Sequence, residues 1–315
     1  MFLLPIFVAL GIGVFLLIAD GLCNLAVKKS KERLESYEHK VIELSSGAVA
    51  YVDRGEGDVI LSIHGILGGY DQGFETAVHF GPGYRIIAPS RFGYLGSDLP
   101  ESPGPKEQAK IFKELLDSLE VDRVYLLAVS AGCAVAIKFA LEYPERTKGL
   151  ILYSPIAPLK ERVKICPKYI SFPAFICNNF GMWMASLFFE PATGMDRKAI
   201  YSMLPIEERR DGMFNDTKIV MPDMALNFDD YPIEDLQAPA LLFQARDDKI
   251  AKCELMEQAL VRFPVYSFVE FKAGGHFLNG NSFEIAAEEE DFLKSINSIS
   301  SISSINDPGD SEVQD

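Results

Sequence analysis

Ser130 is the first residue whose setting could do chemistry. It stands in Ala128-Val129-Ser130-Ala131-Gly132, between the apolar run Arg123–Ala128 (RVYLLA) and the helix-forming stretch Ala131–Tyr143. Small residues at 128 and 132 let a strand and a helix approach closely, which would lift the hydroxyl onto a sharp turn above a sheet edge. A serine that merely capped the helix would look similar. A hydroxyl is a poor nucleophile until a base takes its proton. Histidines occur at 39, 64, 79 and 276, and His276 lies in Ala273-Gly274-Gly275-His276-Phe277, a loop that follows a β-rich run. The imidazole in turn needs a carboxylate to orient it and to stabilise its charged form. Asp247 and Asp248 both qualify, in Gln244-Ala245-Arg246-Asp247-Asp248-Lys249-Ile250 after the preceding β-rich run. The three types come in the order Ser, Asp, His, each where a strand ends. Loops at the carboxyl ends of parallel strands gather on one rim.

The elements that must hold these residues alternate along the chain. Val41–Leu44 and Ala48–Val52 read as a hairpin, and Asp58–Ile63 and Tyr84–Ala88 as short strands bounded by Gly, Pro and Asp. Ile111, Leu115 and Leu119 recur at helical spacing within Lys106–Leu119. Arg123–Ala128 is apolar almost throughout, as a strand buried on both faces would be. Gly149–Tyr153, Pro239–Ala245 and Val265–Phe271 read as further strands, the last two separated by a helix at Lys252–Phe263. Such alternation predicts an α/β protein with a mostly parallel sheet and helices on both faces. It stops over 155–237, which are rich in Phe and Met and read as an inserted helical cap between two halves of a core, 41–154 and 238–296.

Read together, residues 41–295 resemble the α/β-hydrolase family. The match rests on the serine turn, on Asp and His in the family's order, on His64-Gly65-Ile66-Leu67-Gly68-Gly69, on Ala88–Ser97 and on Tyr143-Pro144-Glu145-Arg146. Ala128 replaces the usual first glycine of the serine motif, and Ser90–Ser97 lacks the family's usual aspartate. The resemblance implies a triad of Ser130, Asp248 and His276, with Asp248 favoured because it stands two residues before a branched apolar side chain and Asp247 as the alternative. It implies an oxyanion hole made by the backbone N–H groups of Ile66 and Ala131, a structural rather than catalytic His64, and no cofactor or metal. Serine at position 130 argues against the family's dehalogenases and epoxide hydrolases, which attack with a carboxylate. The implied activity is cleavage of a small-molecule acyl substrate, a carboxylic ester, through an acyl-serine intermediate. Apolar cap residues, among them Phe180, Trp183 and Met184, would bind the acyl chain, and an ester resembling a lipid is implied by similarity to anchored monoacylglycerol-lipase-type members. Three rivals share the fold: a proline-iminopeptidase-like aminopeptidase whose cap acids Glu207, Glu208, Asp211 and Asp216 hold an amino terminus, a C–C bond hydrolase, and a member that only binds.

Composition narrows the classes further. A net charge of −15 disfavours nucleic acid as a partner, because such binding rests on neutralising phosphates. Five scattered cysteines do not form a disulfide framework, and there is no C-x-x-C or H-E-x-x-H for zinc. The first 19 residues carry no charged side chain, which just reaches bilayer-spanning length. Lys28, Lys29, Lys31 and Arg33 follow, and by the positive-inside rule they place the body on the cytoplasmic side of a single-pass anchor at 1–27. A cleaved signal peptide is the rival, weakened by the missing basic start. Residues 28–40 read as a linker or juxtamembrane helix, and the Ser-rich, then acidic, 297–315 as disordered. Asn215-Asp216-Thr217 is a glycosylation triplet that matters only outside the cytoplasm.

Overall fold

The architecture follows from one strand that water cannot reach on either face. β5 (Val124–Val129) is buried along nearly its whole length, so both of its neighbours must also be strands and both of its faces must be covered. A computed structural model describes residues 3–163, 168 and 172–305. In it β5 pairs in parallel with β3 (Gly57–Ile63) and β6 (Thr147–Tyr153). The parallel run continues through β4 (Gly83–Pro89) on one side, and through β7 (Ala240–Ala245) and β8 (Tyr266–Phe271) on the other. β2 (Gly47–Gly55) joins β4 antiparallel, and β1 (Lys40–Leu44) forms a hairpin with β2. The order across the sheet is β1-β2-β4-β3-β5-β6-β7-β8.

Helices cover both faces. The long first helix is α1 (Leu3–Glu35) and the next is α2 (Tyr70–Ala77). α3 (Pro105–Ser118) and α4 (Gly132–Glu142) pack on one face of the sheet with Ile111, Phe112, Leu115, Val135 and Phe139 fully buried. α2 and the last helix lie on the other, with Tyr70, Ala77, Phe292, Leu293 and Ile296. Between β6 and β7 run five short helices, α5 (Asn179–Ala185), α6 (Phe189–Thr193), α7 (Ile200–Met203), α8 (Arg210–Asn215) and α9 (Met221–Leu226). α10 (Cys253–Ala259) and α11 (Ser282–Ile305) complete the chain.

One open reading is settled and two others change. Of linker and juxtamembrane helix, the helix holds over residues 28–35, the last turns of α1, since Asn24–Glu35 holds no Gly or Pro to stop a helix. That half of α1 is docked, with Ala19, Cys23, Ala26 and Ser30 buried along one stripe against the cap and Leu34 against the sheet side. At the other end, residues 297–305 extend α11 instead of being disordered. Ile296, Ile299, Ile302 and Ile305 recur every third residue, a helical spacing hidden by the serines between them; residues 306–315 and Cys166 lie outside the described residues. The triplet at Asn215 is buried, and the Asn215 amide donates to Pro103 O at 3.1 Å, so it offers no glycosylation site.

Candidate active site

Ser130 occupies the two-residue turn between β5 and α4 with φ 51°, left-handed backbone that costs a non-glycine residue about 1–2 kcal/mol. The turn is held from both sides: Ser130 N–H donates to Tyr153 O at 2.9 Å, and Ser130 O accepts from Cys133 N–H at 3.0 Å. Gly132 makes it possible. A Cβ there would lie 2.5 Å from His64 O and 2.7 Å from Ile63 O, so only glycine lets α4 start this close to the end of β3.

His276 lies in a short helical turn after β8, and its Nδ1 is 2.8 Å from Asp248 Oδ2. Asp248, at the end of β7, is fully employed. Its Oδ2 also accepts from Gln244 Nε2 at 3.0 Å, and its Oδ1 accepts the N–H groups of Ile250 and Ala251 at 2.7 and 3.0 Å. A carboxylate held by this many donors is fixed in place, which suits an orienting role. Asp247 does something else: it accepts the N–H of Gly275 at 2.9 Å and of Gly274 at 3.4 Å, and so fastens the loop that carries His276. Gln244 was not foreseen as part of the site. Its position at the carboxyl end of β7, one turn ahead of the acid, was the signal available.

Ser130 and His276 line one cavity of about 1010 Å³. Among the described residues Ser130 Oγ has no hydrogen-bond partner, so the serine–imidazole contact is open in this state; such bonds commonly close only around a substrate. Ile66 also lines the cavity, and among the described residues neither Ile66 N–H nor Ala131 N–H has a protein acceptor. Two unpaired donors beside a nucleophile can stabilise a developing negative oxygen. His64 is buried behind them with both nitrogens used: Nε2 accepts Arg91 N–H at 2.9 Å, and Nδ1 donates to Gly65 O at 2.7 Å. Burial, with Arg91 nearby, holds its pKa well below the usual histidine value.

The rest of the wall is mostly apolar, with Gln72, Thr76, Asp196, Ser202 and Asn279 as its polar members. Phe180 and Met184 line it, but Trp183 does not: it points away, buried in the packing between cap and α1, with Arg197 over its ring. The cap acids are not gathered as an amine-binding cluster. Asp216 is buried on Arg91 and Tyr94, Glu208 pairs with Lys31, and Glu207 accepts Asn179 N–H. Among the described residues, no Lys or Arg lines the cavity. Elsewhere Cys253, Glu257 and Glu270 lie together, but Arg246 already pairs with both carboxylates.

A strand–serine–helix turn at the centre of this sheet order, with Asp and His from the next strand ends, decides the fold. The chain is an α/β-hydrolase-fold protein. The model of the alpha/beta hydrolase fold matches residues 58–169. Among structures of that fold, an alpha/beta hydrolase fold protein from Nakamurella multipartita superposes with TM-score 0.65 at 20% identity, covering 81% of this chain and 99% of that one. An esterase from Exiguobacterium antarcticum gives TM-score 0.63 at 18% identity, covering 82% and 99%. A 2-hydroxy-6-oxo-6-phenylhexa-2,4-dienoate hydrolase from Burkholderia cepacia is 35% identical over 119 residues, 36% of this chain and 41% of that protein. The same enzyme from Comamonas testosteroni is 32% identical over 42% of this chain and 51% of that protein. The chain thus spans only about half the length, or less, of these curated relatives.

Proposed function

We propose that this α/β-hydrolase-fold chain is a membrane-tethered serine hydrolase of apolar carboxylic esters, with no cofactor. The observation that carries the reading is the Asp248–His276 bond at 2.8 Å beside a cavity that Ser130 shares. His276 Nε2 takes the proton from Ser130 Oγ as the oxygen attacks the ester carbonyl. The N–H groups of Ile66 and Ala131 receive the oxyanion, each contributing about 3 kcal/mol to the barrier reduction. His276 then returns the proton to the leaving alcohol, and water, activated by the same imidazole, releases the acid from Ser130. Phe180 and Met184 bind the acyl chain. One N-terminal helix is long and apolar enough to cross a membrane, and Lys28, Lys29, Lys31 and Arg33 favour a cytoplasmic body.

Cleavage of a C–C bond is the second reading, favoured by the names of the relatives. Their dienoate substrates carry a carboxylate, and among the described residues the cavity lining holds neither Lys nor Arg, so a neutral ester fits better. An aminopeptidase fits less well, because the acids it would use are spent elsewhere. The test is labelling of the full chain with a fluorophosphonate, then a panel of esters of increasing chain length set against a dienoate and amino-acid amides. Wild type should label, Ser130→Ala should not, and medium or long acyl esters should turn over fastest. Equal labelling of both proteins, or turnover of the dienoate alone, would refute the ester reading.

A further inference from the structure

The loop His64–Gly68 is gripped from behind by two buried arginines. Arg91 Nε donates to His64 O at 2.9 Å, and its Nη2 to Gly65 O at 3.0 Å. Arg209 Nη1 donates to Gly68 O at 2.6 Å and to Leu67 O at 3.3 Å. Four carbonyls of the loop therefore point at guanidinium groups. In a planar trans peptide the C=O and N–H point in opposite directions. Gly65 O and Ile66 N–H belong to one such plane, so drawing Gly65 O toward Arg91 and His64 turns Ile66 N–H the other way, and Ile66 lines the cavity.

Both arginines are charge-matched out of water. Arg91 forms a two-pronged pair with Asp216 at 2.5 and 2.6 Å, and Tyr94 Oη donates to the same carboxylate at 2.6 Å. Arg209 pairs with Asp71 at 2.8 and 3.2 Å. Arg209, Asp71 and Asp216 are fully buried, and neither arginine lines the cavity, so neither can touch substrate. Arg209 and Asp216 belong to the cap. Asp71 has a third partner from another part of the chain: Arg33 Nη2 of α1 at 2.5 Å. The positive charge of Arg33 on α1 is thus three contacts from the carbonyls of the loop.

We propose that Arg91 and Arg209 are positioning residues that aim the oxyanion donor, and that α1 and the cap set this aim through the chain Arg33–Asp71–Arg209. The proposal rests on the oxyanion role given above to Ile66. Removing a donor of this kind outright costs about 10²–10³ in rate; a donor that is misaimed costs less.

The test uses the full chain in detergent micelles with three measurements: kcat and KM on the best ester, affinity for a trifluoromethyl ketone with the same acyl chain, and thermal stability. Ser130 adds to that ketone to give a tetrahedral oxyanion, so its affinity reads the hole directly. Arg209→Lys keeps the charge opposite Asp71 but has one nitrogen where the fork had two. It should lose about 10- to 100-fold in kcat with KM within about twofold, and ketone affinity should fall by the same factor. Arg33→Gln, at the solvent end of the chain, should lose about 2- to 5-fold in both, again at constant KM. A folded Arg209→Lys with wild-type kcat, a change in KM alone, or a kcat loss without loss of ketone affinity overturns the proposal. If Arg209→Lys does not fold, Arg33→Gln decides, and wild-type values there overturn it. Wild type that neither hydrolyses esters nor labels with fluorophosphonate would mean that the hydrolase reading itself has failed. Wild type and variants labelling at equal rates would mean that the clamp has.

Discussion

Two neighbouring aspartates follow β7, and the structure gives them different work. Asp248 holds His276 Nδ1, whereas Asp247 holds the backbone of the loop around it. Asp248→Asn keeps the shape but presents a donor where the imidazole needs an acceptor, so kcat should fall by about 10³–10⁴. Asp247→Asn leaves an oxygen to accept Gly275 N–H, and a loss of about tenfold or less is expected; steady-state rates on one ester separate the two. His64 makes a second prediction at this scale. Its folded pKa is depressed, so below pH 6.5 the unfolded chain takes up a proton that the folded chain refuses. Stability contributed by this site is intact above pH 6.5 and lost as pH falls below it, at up to about 1.4 kcal/mol per pH unit. Urea denaturation at pH 7, 6 and 5 should show that loss, and His64→Gln should flatten it. A slope that is the same in both proteins would contradict the assignment.

Elements were legible in the sequence where one physical requirement dominated. β5 had to be buried on both faces because it is apolar throughout, and the strand ends it implied placed Ser130, Asp248 and His276 on one rim. The serine turn was legible through its small residues, although the reason Gly132 is glycine, the carbonyls of His64 and Ile63 within 2.7 Å of any Cβ, is visible only in three dimensions. Gly132→Ala must push α4 off β3 and should cost about 1–3 kcal/mol, read as a lower melting temperature together with slower fluorophosphonate labelling. Where two requirements overlapped, reading failed. Residues 28–35 are polar on the outside and docked on the inside, so composition left linker and juxtamembrane helix both open. Trp183 is as apolar as Met184, and only the facing of α5 tells them apart. Nothing along the chain marks that Arg91, Arg209 and Asp216 will be buried, and the aminopeptidase reading takes Asp216 instead as an acid to hold an amino terminus. His79 offers a check on α11. Hydrogen bonding to the buried Glu289 raises its pKa, so its contribution is fully present below pH 6.5 and fades as pH rises through the folded value. His79→Gln should therefore lower thermal stability at pH 6 more than at pH 9, by an amount reduced by the partial exposure of the ring.

At the scale of the whole molecule, the length of α1 constrains where the cap sits. The charge-free run that ends at Ala19 only just matches a hydrocarbon layer about 30 Å thick. A spanning α1 must therefore reach the headgroups at the turn where Ala19 and Cys23 pack on the cap. Phe175, before α5, and Leu187 and Phe188, after it, are all exposed, and a cap resting on the bilayer beside α1 would offer these side chains to it. Phe175 and Phe188 also line the cavity, so its apolar wall continues onto that surface. Two consequences can be measured. Deleting residues 2–18 should release the protein from vesicles yet leave the docked half of α1 in place, with hydrolysis of a short soluble ester unchanged. Deleting residues 2–36 also removes Arg33 and bares the cap face under Ala26, and should lower the melting temperature and promote aggregation. Phe175→Ser with Phe188→Ser in the full chain should then slow turnover of a long-chain ester dissolved in vesicles by about tenfold, and of the short soluble ester far less. Equal slowing on both substrates would mean that these rings serve the cavity alone, and that the cap does not rest on the bilayer.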